Sequence, residues 1–155
     1  ARLATKRWRY YRRSIATATS LAEFQAAIRQ DAWAEVSMLL VARADWFPRS
    51  VILGLAQCRR TYCHHLILDF LSVHPRIVGG ERPRVQGMGT GLVYGLAELA
   101  GLEDIPLIWG EATANSAPFY SKILAIPEIQ DHFFIRAGTL ALCRQLYREK
   151  MFGEA

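Results

Sequence analysis

Alternating apolar and polar positions mark three segments in the first half of the chain as β-strands. Val36–Arg43 and Ser50–Gln57 are rich in β-branched and large apolar residues, and a hairpin loop containing a proline is predicted at 44–49 between them. In His65–Val73 both alternating sets are apolar, with Asp69 as the exception. Because a strand that is apolar on both sides is usually covered on both sides, this third strand should be central in its sheet.

Apolar residues at helical spacing predict two helices in the same part of the chain. Ser20 and Glu23 have the spacing of a capping box, so a first helix is expected over residues 20–30. A second helix should begin at Gly91, where an apolar stripe at helical spacing starts, and should end at Gly101 as its C-cap.

The remaining segments complete an alternation of loop, strand and helix. Pro75–Val85 contains two adjacent glycines and a second proline, which predicts a loop. Strands are expected at Ile105–Glu111 and Asp131–Arg136. Ser116, followed two residues later by a proline, should open a helix, and Thr139–Met151 should form an amphipathic helix near the C-terminus.

The composition is that of an ordinary globular domain, with 52% hydrophobic and 21% charged residues in 155 positions. A single domain over residues 1–155 is therefore expected. The longest apolar runs fall far short of the roughly 20 residues that a membrane-spanning helix needs. With no signal-peptide core and only three cysteines, the sequence favours a cytoplasmic protein with free thiols.

The formal charge of +5 is concentrated at one end of the chain. Residues 1–13 carry six basic and no acidic residues, whereas the rest of the chain carries 13 basic and 14 acidic residues. A basic segment that includes Trp8, Tyr10 and Tyr11 could contact nucleic acid or an anionic membrane, but a solvated terminal segment is the simpler interpretation. The nearly neutral body argues against nucleic acid or a membrane as the main partner.

The segment Gln86–Gly91 carries the most chemical information in the sequence. It has glycine at every second position and joins a predicted central strand to a predicted helix. Glycine permits φ > 0 and lets a ligand approach main-chain amides closely. Those amides, together with the positive end of the helix, suit a diphosphate. A glycine cluster alone is equally consistent with a flexible loop, so its exact spacing has to decide.

Two common nucleotide motifs do not match this spacing. A P-loop requires a Lys-Ser/Thr pair after its last glycine, where Leu92 and Val93 stand. A Rossmann fingerprint requires a third glycine at Leu92 or Tyr94, depending on the register. Neither nucleotide class fits.

The signature Q/R-x-x-G-x-G/A does fit, with Gln86, Gly89 and Gly91 at its defined positions, and it is matched again in a second register that begins at Arg84. At this point the sequence resembles the GNAT superfamily of acyl-CoA N-acyltransferases.

The flanking segments extend the resemblance to residues 50–125, about half of the chain. Asp69–Pro75 is similar to the family's fourth strand, which leads into the glycine-rich loop. Trp109–Tyr120 is similar to its fifth strand and the following helix, which ends on the family's tyrosine. An asparagine commonly precedes that tyrosine by seven positions, where this chain has Thr113, while Asn115 is displaced by two.

The resemblance implies a three-layer α/β/α fold with a curved, mostly antiparallel sheet that splays apart between strands four and five. It also implies an N-acetyltransferase that uses acetyl-CoA as co-substrate. The stretch Leu71, Ser72 and Val73 would pair with the pantetheine arm, and Asn115 and Tyr120 would contact the same cofactor. Main-chain amides of the glycine segment would hold the pyrophosphate: Gln86, Gly87, Met88, Gly89, Thr90 and Gly91.

Acyl transfer to an amine explains why acidic and basic groups would be needed. An amine with a pKa of about 10 is protonated at pH 7, so a base must remove a proton before the nitrogen attacks. Asp69 and Glu111 are the candidates, because each is predicted on a central strand where desolvation raises a carboxyl pKa. Tyr120 is the candidate acid for the CoA thiolate. A partnered carboxylate and a packed aromatic are the ordinary structural interpretations of these residues.

Other features limit the range of functions. Cys58, Cys63, His64 and His65 match no common zinc spacing, so no metal is expected. No cysteine falls in the motifs, which favours direct transfer over an acyl-enzyme. The alternatives are an acyl-CoA-binding module without catalysis and nucleic-acid binding through residues 1–13. The acceptor is not specified by any motif, and a homodimer is left open.

Overall fold

A computed structural model describes residues 16–44, 52–78 and 86–153, in which six strands form one mixed sheet. The strands are β1 Ala16–Ala18, β2 Val36–Arg43, β3 Ile52–Arg60, β4 Leu66–Val73, β5 Leu107–Glu111 and β6 His132–Arg136. They lie in the sheet in their order along the chain. The β1–β2 and β4–β5 pairs are parallel and the other three pairs are antiparallel. The predicted mixed α/β class is therefore confirmed, with β4 in the interior of the sheet.

Five helices are described, and four of them match predicted helices closely. They are α1 Leu21–Gln30, α2 Pro75–Val78, α3 Met88–Leu102, α4 Ala117–Leu124 and α5 Ala137–Phe152. The short helix α2 occupies the start of a segment for which a loop was predicted. The predicted loop at 44–49, the rest of the loop after α2 and the basic segment 1–13 fall mainly or wholly outside the described residues.

The Ser20 half of the capping box predicted at the start of α1 is present, whereas Glu23 reaches back to Thr19 instead of to the N-cap itself. The hydroxyl of Ser20 accepts a hydrogen bond from the Glu23 N–H at 3.2 Å, and the Glu23 carboxylate accepts one from the Thr19 N–H at 2.7 Å. The first bond satisfies a main-chain donor that has no partner inside the helix, and the second ties the preceding residue to the first turn. They place the first turn of α1 so that Phe24 is completely buried.

The prediction that Gly101 ends its helix is wrong. It lies inside α3, which continues to Leu102. The guanidinium of Arg144 from α5 occupies the space that a Cβ at this position would fill. Glu98, one turn earlier on α3, accepts a hydrogen bond from Arg148 of α5 at 2.7 Å. The glycine thus serves the packing of α5 against α3.

The core lies between one face of the sheet, here called the inner face, and the helices. The strand registers align a row of buried residues across this face: Met38, Cys58, Leu68, Gly110 and Phe133. Helix α3 packs directly on it, since a Cβ at Gly54 would lie 2.9 Å from Leu92. The glycine segment 86–91 forms the turn into this helix, so the packing also fixes the position of the turn relative to β4.

The opposite, outer face of the sheet carries large apolar side chains that are well exposed within the described part of the chain. Leu39, Val41, Phe70 and Phe134 are 40–53% exposed. The described helices therefore account for one of the two helical layers that the family resemblance implies. None of them has the length and apolar character that crossing a membrane requires.

Candidate active site

The predicted splay between strands four and five is present and begins at a β-bulge. Strand β4 pairs with β5 only through Leu66–Leu68. Immediately afterwards the register with β3 passes from Leu68 to Phe70, which leaves Asp69 without a partner on β3. A bulge of this kind bends its strand and often ends pairing. Beyond Leu68, β4 continues to Val73 with no described strand paired on that side, so a wedge opens between the two strands.

The main chain of β4 presents free hydrogen-bonding groups to this wedge. The His74 N–H donates to the Leu53 carbonyl at 2.9 Å, which shows that His74 faces β3. Because main-chain groups in an extended strand point alternately to its two sides, Ser72 also faces β3, whereas Leu71 and Val73 face the wedge. These are the two residues predicted to pair with an extended ligand.

The glycine segment forms a tight turn into α3. Gly87, the N-cap, has φ = 74°, a left-handed conformation that favours glycine. The first helical hydrogen bond runs from the Gly91 N–H to the Gly87 carbonyl at 2.8 Å. The amides of Met88, Gly89 and Thr90 precede this bond, so they lack helical acceptors and are available to an anion.

Gly89 lies at a point of close packing. A Cβ at this position would lie 3.2 Å from the ring of Phe119 on α4 and 3.6 Å from Val73 on β4. The absence of a side chain therefore lets the start of α3 approach the end of β4 and the start of α4. These three chain segments enclose one cavity.

That cavity is a cleft of about 600 Å³, which is large enough for a substantial part of a cofactor. Of the predicted cofactor-binding residues, nine line it: Leu71, Ser72, Val73, Gln86, Gly87, Met88, Gly89, Thr90 and Tyr120. Ile77, Ser116 and Phe119 also line it and were not predicted. Phe119 could have been predicted from the sequence, because it directly precedes Tyr120 in the helix motif. Neither Gly91 nor Asn115 is among the lining residues, and Asn115 is exposed.

Tyr120 reaches the cleft from α4 and is held by aromatic neighbours. Its ring stacks on Phe133 with centroids 4.0 Å apart and contacts the edge of Phe119 at 5.1 Å. The residue is only 5% exposed, and burial raises the pKa of its hydroxyl above the usual value of 10.0. The hydroxyl is therefore protonated at neutral pH and is able to donate a hydrogen bond into the cleft.

The two candidate carboxylates lie on the outer side of the wedge. Leu68 and Gly110 are aligned with each other and are the last residues that pair β4 with β5. Asp69 directly follows Leu68, and Glu111 directly follows Gly110. Since Leu68 and Gly110 belong to the buried inner face, the exposed carboxylates that follow them project to the opposite side. Neither carboxylate lines the cleft that contains Tyr120.

The expectation that Asp69 is desolvated is wrong. Its carboxylate accepts two hydrogen bonds from the Arg59 guanidinium, from Nη2 at 2.9 Å and from Nε at 3.1 Å. The difference arises because the outer face of the sheet, on which Asp69 lies opposite Leu68, is left exposed in the described part of the chain. Glu111 is likewise exposed, and His132 of β6 is its register partner.

The cysteines take no part in this cleft. Burial raises the pKa of Cys58 to about 12, with the charge of Asp69 as a smaller cause, and burial raises that of Cys143 to about 11. Cys63 is exposed, with its Sγ 3.4 Å from Nδ1 of His65. Within the described ranges, no group of three potential ligands from His, Cys, Asp or Glu could hold a metal ion.

The solved structures that resemble this one in part include the following two. The crystal structure of nourseothricin acetyltransferase matches with a TM-score of 0.47 and 16% sequence identity, over 63% of this chain and 62% of that chain. The crystal structure of Tetrahymena GCN5 matches with a TM-score of 0.41 and 17% identity, over 65% of this chain and 56% of that one. Each match thus covers less than two thirds of the other protein. No protein-family model matches the chain, and no curated protein is significantly similar.

Proposed function

We propose that this chain is a GNAT-type acyltransferase that binds acetyl-CoA in the 600 Å³ cleft and transfers the acetyl group directly to an amine. The observation that carries the proposal is the open edge of β4. Leu71 and Val73 direct main-chain donors and acceptors toward a wedge that leads to the amides at the start of α3. An extended amide-containing arm ending in a diphosphate has complementary groups in the same order.

The cofactor-binding surface is made mainly of backbone. The pantetheine arm carries amide groups that can pair with Leu71 and Val73 as an added strand does. The pyrophosphate would lie on the amides of Met88, Gly89 and Thr90, where the helix dipole also favours negative charge. Main-chain recognition explains why glycines and an unpaired strand edge are needed here, rather than a cluster of basic side chains.

The proposed general acid and the proposed general base lie on opposite sides of the wedge. Tyr120 lies on the inner side and would protonate the departing CoA thiolate as the tetrahedral intermediate collapses. Asp69 and Glu111 lie on the outer side, from which an amine would attack. Of the two, Glu111 is the better candidate for the base, since Asp69 is bound to Arg59. Holding amine and thioester together also contributes, with effective molarities that reach about 10⁵ M or more.

A second function deserves a test because of that ion pair. Both oxygens of Asp69 already accept hydrogen bonds from Arg59, so this carboxylate is occupied and not free to contact an amine, which favours an acyl-CoA-binding module that does not turn over. This module would have the same cleft and the same cofactor affinity. It would differ only in releasing no CoA thiol.

Thermal unfolding with acetyl-CoA tests the binding step. At a ligand concentration of about 100 times Kd, the folded state should gain about 2.7 kcal/mol. NADH and ATP serve as controls that carry a diphosphate without pantetheine. No stabilisation by acetyl-CoA, or equal stabilisation by all three, would refute the proposal. Release of CoA thiol with a panel of amines then separates the enzyme from the non-catalytic module.

A further inference from the structure

A second cavity lies on the other side of the glycine turn. Its volume is about 470 Å³, and it is formed by the end of β2, the first turns of α3 and the end of α5. It shares only Gln86, Gly87 and Met88 with the cleft, whereas Gly91 lines this cavity alone. The glycine turn therefore lies between two cavities, each large enough for a small-molecule ligand.

The charged residues that line this cavity are all basic. Arg43 comes from the end of β2 and Lys150 from the end of α5, and no aspartate or glutamate is among the described lining residues. Neither cation forms an ion pair with any residue in the described ranges. Lys150 has its Nζ 5.7 Å from the ring centroid of Tyr94. Two positive charges at one cavity, with no described carboxylate paired to either, repel each other, and an anion between them would relieve that repulsion.

The rest of the lining is mostly apolar or aromatic. Leu92 and Tyr94 are buried at its base, and Tyr147 and Met88 are partly buried at its sides. Inorganic phosphate would satisfy the cations but leave these surfaces in contact with water. An aromatic or aliphatic body attached to the anion would cover them and gain free energy from the area that it buries.

We infer that this cavity is a binding site for a small anion with an aromatic body, either a carboxylate or a phosphate monoester. Arg43 offers a planar pair of donors that matches either anion, and Lys150 adds a point charge. Tyr94 and Tyr147 supply the surface for the ring. Binding there is independent of the proposed function, and the shared glycine turn would couple the site to acetyl-CoA where that function holds.

Calorimetric titration of the full chain tests the inference with matched probes. Phenyl phosphate and phenylacetate combine both features, and comparing them distinguishes the two anions. Inorganic phosphate and benzyl alcohol supply the anion and the ring separately. The complete probe should bind at least tenfold more tightly than either fragment. Arg43→Gln and Lys150→Gln should each weaken it roughly tenfold, the usual contribution of a hydrogen bond to a charged group.

Control variants show whether weaker probe binding comes from losing a cation at the cavity or from losing positive charge anywhere on the protein. Arg29→Gln and Lys122→Gln remove exposed cations that do not line the cavity and should leave the probe affinity unchanged. A Cβ at Gly91 would meet no other residue within 4 Å, and the same is true at Gly138 in the first turn of α5. Gly91→Ala should therefore weaken the probe through steric overlap, whereas Gly138→Ala should not.

Three results would overturn the inference. The first is that neither aromatic anion binds saturably, and the second is that the control variants weaken binding as much as Arg43→Gln and Lys150→Gln do. The third is that saturating acetyl-CoA abolishes probe binding and both cavity variants lose acetyl-CoA affinity equally, in which case the cavity is an extension of the cofactor cleft. Probe binding without any acetyl-CoA binding would instead refute the proposed function and leave this site in place.

Discussion

Tyr120 brings an uncharged proton donor to the inner side of the wedge, and its substitution tests catalysis separately from folding. Tyr120→Phe keeps the ring that stacks on Phe133 and removes only the hydroxyl. We expect kcat for CoA release to fall roughly 100-fold, the lower end of the usual range for a general acid, with little change in KM for acetyl-CoA. Burial raises the pKa of Tyr120 above 10.0, so its contribution should be lost only as pH rises beyond that value.

Tyr94→Phe is the matched control for this variant. Tyr94 is equally buried, and its hydroxyl donates to the Ile123 carbonyl at 3.1 Å, outside the cleft. Its removal should cost about 1 kcal/mol of stability and leave kcat unchanged. If the two variants lose kcat to the same extent, Tyr120 is a packing residue.

At the same scale, residue types in the site were predictable from sequence, but their surroundings were not. The signature at Gln86, Gly89 and Gly91 located the turn, because glycine spacing is a local property. The environment of Asp69 depends on the exposure of the outer face and on Arg59, ten residues away along the chain, and neither is visible in local alternation. Desolvation is a tertiary property, which is why that part of the prediction failed.

At the scale of elements, the free edge of β4 is open to a direct test. Val73→Pro removes the N–H that faces the wedge and leaves the β3 ladder intact, since proline is tolerated where a strand edge is unpaired. We expect the fold to persist and acetyl-CoA affinity to fall roughly tenfold, the effect of one lost hydrogen bond with some steric overlap. Isothermal titration measures the affinity.

Val73→Thr is the control, because it retains both the N–H and the side-chain shape. It should bind acetyl-CoA nearly as well as the wild type does. Equal affinity of the proline variant and the threonine variant would mean that no ligand pairs with this edge, and the proposed binding mode would be wrong.

Elements with strong periodicity were predicted well and short ones were not. Strand β2 and helices α1 and α5 carry long apolar patterns, and their observed ends lie within two residues of the predicted ones. Strand β1 has only Ala-Thr-Ala and was missed, since three small residues have no pattern and are placed by pairing with β2.

At the scale of the whole molecule, the buried thiols predict how stability depends on pH. Cys58 and Cys143 have a usual pKa of 9.0, which folding raises to about 12 and about 11. Above pH 9 the unfolded chain therefore releases protons that the folded chain retains, so the free energy of unfolding should fall as pH rises from 9 to 11. Each thiol contributes up to about 1.4 kcal/mol per pH unit to that slope.

Urea unfolding at a series of pH values measures this slope. Cys58→Ala should lower stability at pH 7 by removing a packed sulfur, and should also flatten the decline above pH 9. Cys63→Ala removes an exposed thiol and should leave the curve as it is in the wild type. Parallel curves for all three proteins would exclude Cys58 as a source of the alkaline decline.

The sequential order of the strands also bears on how the chain folds during synthesis. Each strand from β2 onward pairs with the strand that precedes it, so it meets a partner that has already left the ribosome. Three of these steps have to wait for an intervening helix: β1 to β2 for α1, β4 to β5 for α2 and α3, and β5 to β6 for α4. The growing sheet therefore pauses at the edge of β4 until α3 has been made, and most of that edge is never covered by β5.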